Sequence, residues 1–397
     1  MSKIVITKLH DKIVSSVFND TELVSVNFSQ DMESSFLNNI YVGRVENIVK
    51  NINAAFIAIG PDTKCYFSLD ENPKPYFINN KNSDKLNVGD LILVQVTKDA
   101  IKTKMAVASS NLSLQGKYVV LNHGNPKLGI SNKIGDVKFK NAITEAFLPL
   151  KNDAYGFVIR TNAYETTMEN ILNEANMLID IYNDIISIAK HRPAYTKLYS
   201  APQNFVNIIR NANAKELSEI VVEDIDIYEY VKEYLWQNYP EDSQKLRLYK
   251  DDLLSLNKLY NIENRLNDAL KERVWLKSGG YLIIQPTEAL VVIDVNTGKF
   301  DGKNKDREAT FLKINKEAAN EIAKQLILRN LSGIIIIDFI DMIADEMKEE
   351  LLEYFARLLK RDPVKTTLMG MTKLGLVEIT RKKVLKPLYE EWKSTKN

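Results

Sequence analysis

Two short segments decide the fold: Val291-Val-Ile-Asp294-Val-Asn296-Thr-Gly298-Lys299 and Ile334-Ile-Ile-Ile-Asp338-Phe-Ile-Asp341-Met342. In each segment an apolar run leads directly into an aspartate. Burying an unpaired carboxylate is costly, so an aspartate on such a run needs a partner or a metal ion. Two such segments predict one shared acidic site and, from it, metal-assisted chemistry.

A helical pattern over about Glu308 to Arg329 separates the two segments and predicts a strand–helix–strand unit with both strands close in one sheet. Asp294 and Asp338 then fall near strand ends, where open α/β sheets usually place their chemistry. Mg²⁺ prefers one or two carboxylates with waters and a phosphate, and it can activate water for attack on a phosphodiester. Asn296 shares the face of Asp294 on an extended backbone, and Asp341 is expected to support the ligands from outside the metal's own shell.

The length and composition of the chain limit the classes of protein to which it can belong. The chain has 397 residues, of which 45% are hydrophobic, and its 53 Lys+Arg nearly balance 52 Asp+Glu to give a net charge of +1. This length predicts two or more domains. A net charge of +1 excludes a strongly basic protein that coats nucleic acid, so any binding of a polyanion must come from local positive patches. Cys65 is the only cysteine, which excludes an intrachain disulfide framework and a cysteine-based zinc site in this chain.

The location predicted from the sequence is the cytoplasm. Met1 to His10 alternates like a strand and has no signal-peptide pattern. No apolar run approaches the roughly 20 residues that span a bilayer, so no membrane span is expected.

The remaining patterns predict an α/β multi-domain chain. Residues 36–120 hold short strands with a spacing typical of a small barrel. The middle is mostly helical, with a long helix over about 165–190 and further short helices over 205–220 and 225–236. From residue 252 onward a helix over about 253–271 precedes alternating strands and helices.

Other chemistries receive less support. A nucleotide hydrolase needs a Gly-x-x-x-x-Gly-Lys-Ser/Thr phosphate loop, and the glycines at 298 and 302 do not provide one. The three histidines are scattered, which disfavours a two-histidine ribonuclease mechanism. A structural alternative stays open for Asp338, because an aspartate that ends a buried strand often only caps the next helix.

Three long motifs resemble the catalytic region of the bacterial ribonuclease E/G family. They are Thr287-Glu-Ala-Leu-Val-Val-Ile-Asp-Val-Asn-Thr-Gly298, Asn315-Lys-Glu-Ala-Ala-Asn-Glu-Ile-Ala-Lys-Gln-Leu326 and Asp338-Phe-Ile-Asp-Met342. Gly298 and the run Leu374-Gly-Leu-Val-Glu-Ile-Thr-Arg-Lys382 are more similar to the "G" branch. The resemblance covers nearly the whole chain, with the motifs in the family's order.

The resemblance implies a fold and an activity. The fold would be a ribonuclease-H-like segment with 5′-sensor elements (1–35 and 121–220), interrupted by an OB-fold RNA-binding domain (36–120) and followed by a DNase-I-like catalytic subdomain (221–397). The activity would be Mg²⁺-dependent endonucleolytic cleavage of single-stranded RNA, with preference for a 5′-monophosphate and with 5′-phosphate and 3′-hydroxyl products. Processing of ribosomal and transfer RNA precursors and decay of messenger RNA are the implied roles.

The family's catalytic and barrel residues carry over by motif. Asp294 and Asp338 resemble the magnesium ligands, and Asn296 resembles the residue that supports the attack geometry. The RNA-contacting residues of the barrel correspond to Phe56, Tyr66 and Lys104. Aromatic faces stack on unpaired bases and a lysine meets the backbone. The alternative for both rings is a place in the barrel core.

A 5′-phosphate pocket also carries over. Arg160 resembles the residue that grips the terminal phosphate bidentately, and Thr161 would add a hydroxyl donor. Gly129 lies in the segment similar to the pocket's glycine-bearing loop, and Lys365 aligns with a further basic residue. For Arg160 a surface salt bridge is the alternative.

The C-terminal residues depart from the family's pattern. The family follows its catalytic region with a Cys-Pro-x-Cys element that shares zinc between two subunits, whereas this sequence runs from Pro387 to Asn397 without cysteine. No zinc is therefore expected, a homodimer stays open, and the sequence does not decide between a naturally short member and a shortened piece. Two alternatives to an RNA-cutting enzyme remain: an RNA-binding member with weak or no cleavage, and a nuclease that acts on DNA.

Overall fold

The computed structural model describes residues 1–29, 36–79, 85–100, 104–213, 215–298 and 307–396. The chain divides into two compact units. Unit 1 comprises Met1–Ser29, Ser218–Glu233 and Ser243–Asn397, and unit 2 comprises Gln30–Leu217 and Tyr234–Asp242. Residues 30–35 of the predicted segment 1–35 lie outside the described residues, and the predicted domain bounds stay predictions. Among the described residues no helix has both the length and the apolarity that crossing a bilayer requires.

The elements are numbered along the chain. The strands are β1 (Ser2–Leu9), β2 (Lys12–Asn19), β3 (Glu22–Ser29), β4 (Ile40–Val49), β5 (Ala54–Ala58), β6 (Lys64–Ser68), β7 (Tyr76–Phe77), β8 (Leu91–Lys98), β9 (Ala106–Ser109), β10 (Ser113–Gln115), β11 (Val119–His123), β12 (Leu128–Ile130), β13 (Tyr155–Ile159), β14 (Lys197–Tyr199), β15 (Leu217–Val222), β16 (Leu246–Leu248), β17 (Arg273–Trp275), β18 (Tyr281–Pro286), β19 (Val291–Asn296), β20 (Gly333–Asp338), β21 (Thr366–Met371) and β22 (Val377–Arg381). The helices are α1 (Val137–Ala146), α2 (Met168–Ala189), α3 (Asn207–Asn211), α4 (Ile225–Asn238), α5 (Pro240–Ser243), α6 (Leu256–Leu259), α7 (Ile262–Ala269), α8 (Arg307–Leu328), α9 (Asp345–Leu359) and α10 (Leu388–Lys396).

Unit 1 contains a five-stranded sheet in the order β16-β15-β1-β2-β3. The helix predicted over 205–220 was wrong beyond α3, which ends at Asn211, because Leu217–Val222 forms β15 between β1 and β16. Its β-branched residues are fully buried, so sheet pairing and burial override the helical spacing. The helix predicted over 253–271 is two shorter helices, α6 and α7, because Asn261 between them has φ 51° and interrupts the helical backbone.

A six-stranded sheet forms the second layer of unit 1, in the order β17-β18-β19-β20-β22-β21. β19 and β20 are parallel, and α8 lies between them in sequence, which confirms the predicted strand–helix–strand unit. One face of the sheet forms a core with α8 and α9. Its inward side chains include Leu282, Ile284, Ile293, Val295, Ile335 and Ile337, all at most 6% exposed. The alternate residues of these strands therefore face away from that core.

Unit 2 contains the predicted barrel. Strands β4, β5, β6, β9 and β8 pair in that order, and pairing of β8 with β4 closes the ring, which is consistent with an OB-like fold. The interior is apolar, with Ile57, Phe67 and Ile92 at 0% exposure. Gly43 lies where a Cβ atom would come within 2.5 Å of the Ile57 side chain, so the packed interior requires glycine there.

A four-stranded sheet, β10-β11-β13-β12, completes unit 2 and packs against α2. The residue that follows β13 is Arg160, and the parallel strand β12 ends beside it. This sheet therefore brings together two sequence segments that are about 30 residues apart.

Candidate functional site

The register of β19 and β20 places the two predicted carboxylates opposite each other. Asp294 and Asp338 are directly paired residues of two parallel strands. Asp338 is exposed at the end of β20, and Asp294 is half-buried. Like charges directly opposite in a sheet are destabilising, so the fold tolerates this pair at some cost.

The surroundings of the pair are acidic. Although the Asp338 residue is exposed, its carboxyl is partly desolvated, which raises its pKa, and the nearby charges of Asp294 and Asp341 raise that pKa further. The Asn296 amide donates a hydrogen bond of 2.6 Å from Nδ2 to Oδ2 of Asp294. In the described part of the chain no cationic side chain forms an ion pair with Asp294 or Asp338. The structure thus brings Asp294, Asn296 and Asp338 together, with Asp341 close enough to contribute its field.

The donor set at this site fits a hard cation. Across the described ranges no group of three or more His, Cys, Asp or Glu side chains is arranged to hold a metal ion. Two carboxylates suffice for Mg²⁺, which usually retains several waters and completes its shell with substrate phosphate. The arrangement therefore offers two carboxylates to a divalent cation, and an amide that orients one of them.

Phe56 and Tyr66 are cross-strand partners on β5 and β6. Their ring centroids are 6.5 Å apart at an interplanar angle of 76°. Both rings are half-buried, whereas their sequence neighbours Ile57 and Phe67 are fully buried. The two rings therefore lie on the outer face of the barrel, which disfavours the alternative that they belong to its core. Lys104 is exposed and stands two residues before β9.

Arg160 has neutral hydrogen-bond partners. Its Nη1 donates to the backbone oxygen of Gly116 at 2.7 Å, and its Nη2 donates to Oδ1 of Asn211 at 2.6 Å. Burial lowers the pKa of Arg160, and the nearby charge of Arg210 lowers it further. Among the described residues no carboxylate forms a salt bridge with Arg160, so the surface salt bridge expected as the alternative is not observed.

Two hydroxyl groups lie beside Arg160. Oγ1 of Thr161 and Oγ of Ser131 are 2.9 Å apart. Ser131 follows β12, on which Gly129 pairs with Val158 of β13. Sequence reasoning missed Ser131, although its place two residues after Gly129 on an extended segment was a usable signal.

Asn211 belongs to unit 2, as Arg160 does, whereas the predicted residue Lys365 belongs to unit 1. Asn211 lies 51 residues from Arg160, so no sequence signal indicated their hydrogen bond. Lys365 belongs to unit 1, is exposed, and precedes β21. Its backbone oxygen accepts a hydrogen bond of 3.0 Å from the Lys382 amide.

The comparison with protein families is decisive. The model of the Ribonuclease E/G family matches residues 113–384. This chain belongs to that family. The matched ribonuclease E/G range includes Asp294, Asn296 and Asp338, as well as the segment around Arg160, and it confirms the resemblance predicted from the sequence.

Curated relatives agree with the ribonuclease E/G assignment. Ribonuclease G of Haemophilus influenzae is 33% identical over 376 residues, which cover 92% of this chain and 76% of the relative. Ribonuclease G of Escherichia coli K12 is 32% identical over 371 residues, covering 91% and 76%. Ribonuclease E of a Synechocystis strain is 33% identical over 393 residues, covering 98% of this chain and 58% of the relative.

Proposed function

We propose that this chain is a divalent-metal-dependent endoribonuclease that hydrolyses single-stranded RNA. Membership of the ribonuclease E/G family supports endonucleolytic action on RNA. The observation that carries the proposal is the direct pairing of Asp294 with Asp338, with Asn296 hydrogen-bonded to the first of them. The finer fold assignment belongs to the same proposal: a ribonuclease-H-like segment, a DNase-I-like subdomain, and the domain bounds given above.

Each residue of the site has a defined role in the proposed reaction. Asp294 and Asp338 would hold Mg²⁺, which when bound neutralises phosphate charge and lowers the pKa of a bound water. The Asn296 amide occupies Oδ2 of Asp294, so it fixes the carboxylate's orientation and leaves Oδ1 for other contacts. Water attacks phosphorus, the bond from phosphorus to the 3′-oxygen breaks, and the 3′-oxygen takes a proton. The products carry a 5′-phosphate and a 3′-hydroxyl.

Cleavage of a short RNA tests the proposal directly. The substrate is a 5′-monophosphorylated single-stranded oligoribonucleotide with Mg²⁺, beside a DNA oligomer of the same sequence. Cutting of RNA alone is expected. Binding of RNA without cutting would instead support an RNA-binding protein, and equal cutting of DNA would support a broader nuclease.

The barrel face is proposed to hold the RNA strand. Replacing Tyr66 or Phe56 with alanine is expected to raise the Kd for single-stranded RNA by roughly 5- to 150-fold, because stacking contributes about 1–3 kcal/mol per base. Tyr66→Phe keeps the ring and should change the Kd little. Fluorescence anisotropy in metal-free buffer measures this, and equal Kd values for Tyr66→Ala and Tyr66→Phe would contradict the stacking role.

The Arg160 region is proposed to bind a 5′-monophosphate. A guanidinium has five N–H donors, and two of them are used by Gly116 and Asn211. These two neutral acceptors fix the plane of the group and leave its charge unpaired by any described carboxylate. The hydroxyls of Thr161 and Ser131 are proposed as additional donors and Gly129 as a further pocket residue, whereas the role of Lys365 stays a prediction from the sequence.

Arg160→Ala is expected to slow cleavage of 5′-monophosphorylated RNA by about 10- to 100-fold, because hydrogen bonds to a charged group contribute about 1.5–3 kcal/mol. Cleavage of 5′-hydroxyl RNA should change little. Arg192→Ala, at an exposed arginine of the same unit, is the control. Single-turnover cleavage rates on the two RNAs measure this effect. Equal slowing of both RNAs would contradict a role of Arg160 in binding the 5′-monophosphate.

Biological context is proposed from the family alone. Processing of ribosomal and transfer RNA precursors, decay of messenger RNA, a cytoplasmic location and a homodimer are proposed as what membership of the family implies. Sedimentation of the purified chain at several concentrations would test the homodimer.

A further inference from the structure

An aromatic platform stands on the edge of the six-stranded sheet. We use this name for Arg273, Trp275 and Tyr281. The rings of Trp275 and Tyr281 have centroids 5.4 Å apart at an angle of 62°. The Arg273 guanidinium carbon lies 4.5 Å from the Tyr281 ring centroid and 5.6 Å from that of Trp275.

Strand register connects this platform to the carboxylates. Trp275 pairs with Tyr281, and Tyr281 pairs with Asn296. Directly opposed residues of neighbouring strands project from the same face, and neighbouring strands are roughly 4.8 Å apart. The aromatic platform therefore begins one strand away from Asn296, on the face that also bears Asp294 and Asp338.

The residues two positions further along these strands also connect the platform to the carboxylates. Arg273 pairs with Ile283, Ile283 pairs with Asp294, and Asp294 pairs with Asp338. A positive side chain and two negative ones thus lie on one face of four consecutive strands. A strand of RNA that places a phosphate at the carboxylates and runs toward β17 would pass over the aromatic platform.

The side chains of Arg273 and Trp275 contribute little to the packing of the fold. Trp275 is 64% exposed, although burial of a tryptophan is strongly favourable. Within the described ranges, the Trp275 indole N–H and the Arg273 guanidinium have no hydrogen-bond or ion-pair partner. The core contacts of this edge come instead from Val274 and Leu282 on the opposite face. What distinguishes Trp275 is its place beside the carboxylates, where its exposed ring is available to a bound substrate.

We propose that the aromatic platform stacks an unpaired RNA base next to the scissile phosphate, so that the catalytic sheet itself helps to hold the RNA strand in place. This inference rests on the proposed ribonuclease function. The exposed Trp275 ring supplies the stacking face, since exposed rings beside a nucleic-acid path stack on bases of any sequence. Tyr281, already covered by Arg273, supports Trp275 from the side, and the N–H donors of Arg273 meet the adjoining phosphate.

The first test is RNA binding without cleavage. Trp275→Ala is expected to raise the Kd of a labelled single-stranded oligoribonucleotide by roughly 5- to 150-fold in EDTA buffer. Trp275→Phe should retain most of the affinity. Trp236→Ala is the matched control, because Trp236 is 74% exposed in α4 of the other unit and should be neutral.

The second test locates the base. A series of oligoribonucleotides, each with one abasic position, is bound to wild type and to Trp275→Ala. We expect the effect of Trp275→Ala to vanish at one abasic position only, adjacent to the bond that wild type cuts when Mg²⁺ is added. No such position, or unchanged Kd for Trp275→Ala, would overturn the platform even if wild type cuts RNA normally.

Two further outcomes separate the proposals. If wild type does not cut RNA but Trp275→Ala still weakens binding at one position, the platform stands and the proposed nuclease function fails. If Trp275→Ala instead converts a dimer to a monomer in sedimentation without the abasic signature, the surface is an interface between copies and the proposal is overturned.

Discussion

Replacing Asp294 or Asp338 with asparagine is expected to slow RNA cleavage by about 10²- to 10⁴-fold. An amide is a poor ligand for Mg²⁺, and a metal that polarises phosphate and water contributes several kcal/mol to the transition state. Folding should be preserved, because the two side chains keep their size and because the substitution removes a repulsion between directly opposed charges.

The measurement is a single-turnover rate on 5′-monophosphorylated RNA at saturating Mg²⁺, with RNA affinity determined in parallel. Asp341→Asn serves as the graded control. Asp341 adds to the field at Asp338, so its loss should cost only about 10- to 100-fold, as for residues that support metal ligands. Cleavage by Asp294→Asn at the wild-type rate would reject the mechanism.

Glu174→Met is expected to destabilise unit 2 by about 3–5 kcal/mol. The Glu174 carboxylate, 6% exposed, accepts hydrogen bonds from the backbone amides of Lys117, Tyr118 and Val119 at 2.6–2.7 Å. Methionine is close in size and favours helix but accepts none of them. Each buried donor left without a partner costs about 1–3 kcal/mol.

Denaturant unfolding of the full chain measures this change. Tyr239→Phe is a limited control, because the Tyr239 hydroxyl makes one 3.0 Å hydrogen bond to the same carboxylate and accepts another of 3.0 Å from the Lys117 amide. It should cost only about 1 kcal/mol. A loss below about 1 kcal/mol for Glu174→Met would show that water replaces the carboxylate at this turn.

The same turn also supports the proposed sensor. The residue before the three amides is Gly116, and its carbonyl oxygen accepts a hydrogen bond from the Arg160 guanidinium. A Cβ atom on Gly116 would lie 2.3 Å from the Glu174 carboxyl carbon, so the close approach requires glycine. Glu174→Met should therefore also reduce the discrimination between 5′-monophosphorylated and 5′-hydroxyl RNA.

The sequence predicted those elements whose structure follows from local pattern. α8 was predicted within about one residue at each end, because long apolar periodicity has few alternative solutions. The strand β15 was mistaken for helix, since its identity depends on pairing with β1, more than 200 residues away. The break at Asn261 depends on one residue's positive φ, which helical spacing alone does not reveal.

The site residues also divide into those that local pattern predicts and those that depend on distant contacts. Asp294, Asn296 and Asp338 were predicted together because a parallel strand pair with a helical connection leaves few possible registers. Ser131 and Asn211 were missed, since their proximity to Arg160 arises from sheet pairing and from a distant segment. The outer position of Phe56 and Tyr66 was left open by the sequence, because a closed barrel alone decides which face of β5 and β6 is outside.

The pairing of Asp294 with Asp338 also limits how this region can evolve. Side chains alternate along β20, so inserting or deleting one residue within the strand would bury Asp338 and expose Ile337. Such a change would damage the core and the carboxylate pair in the same event. Length variation among descendants of this sequence should therefore accumulate in connecting segments, while β19 and β20 change only by substitution.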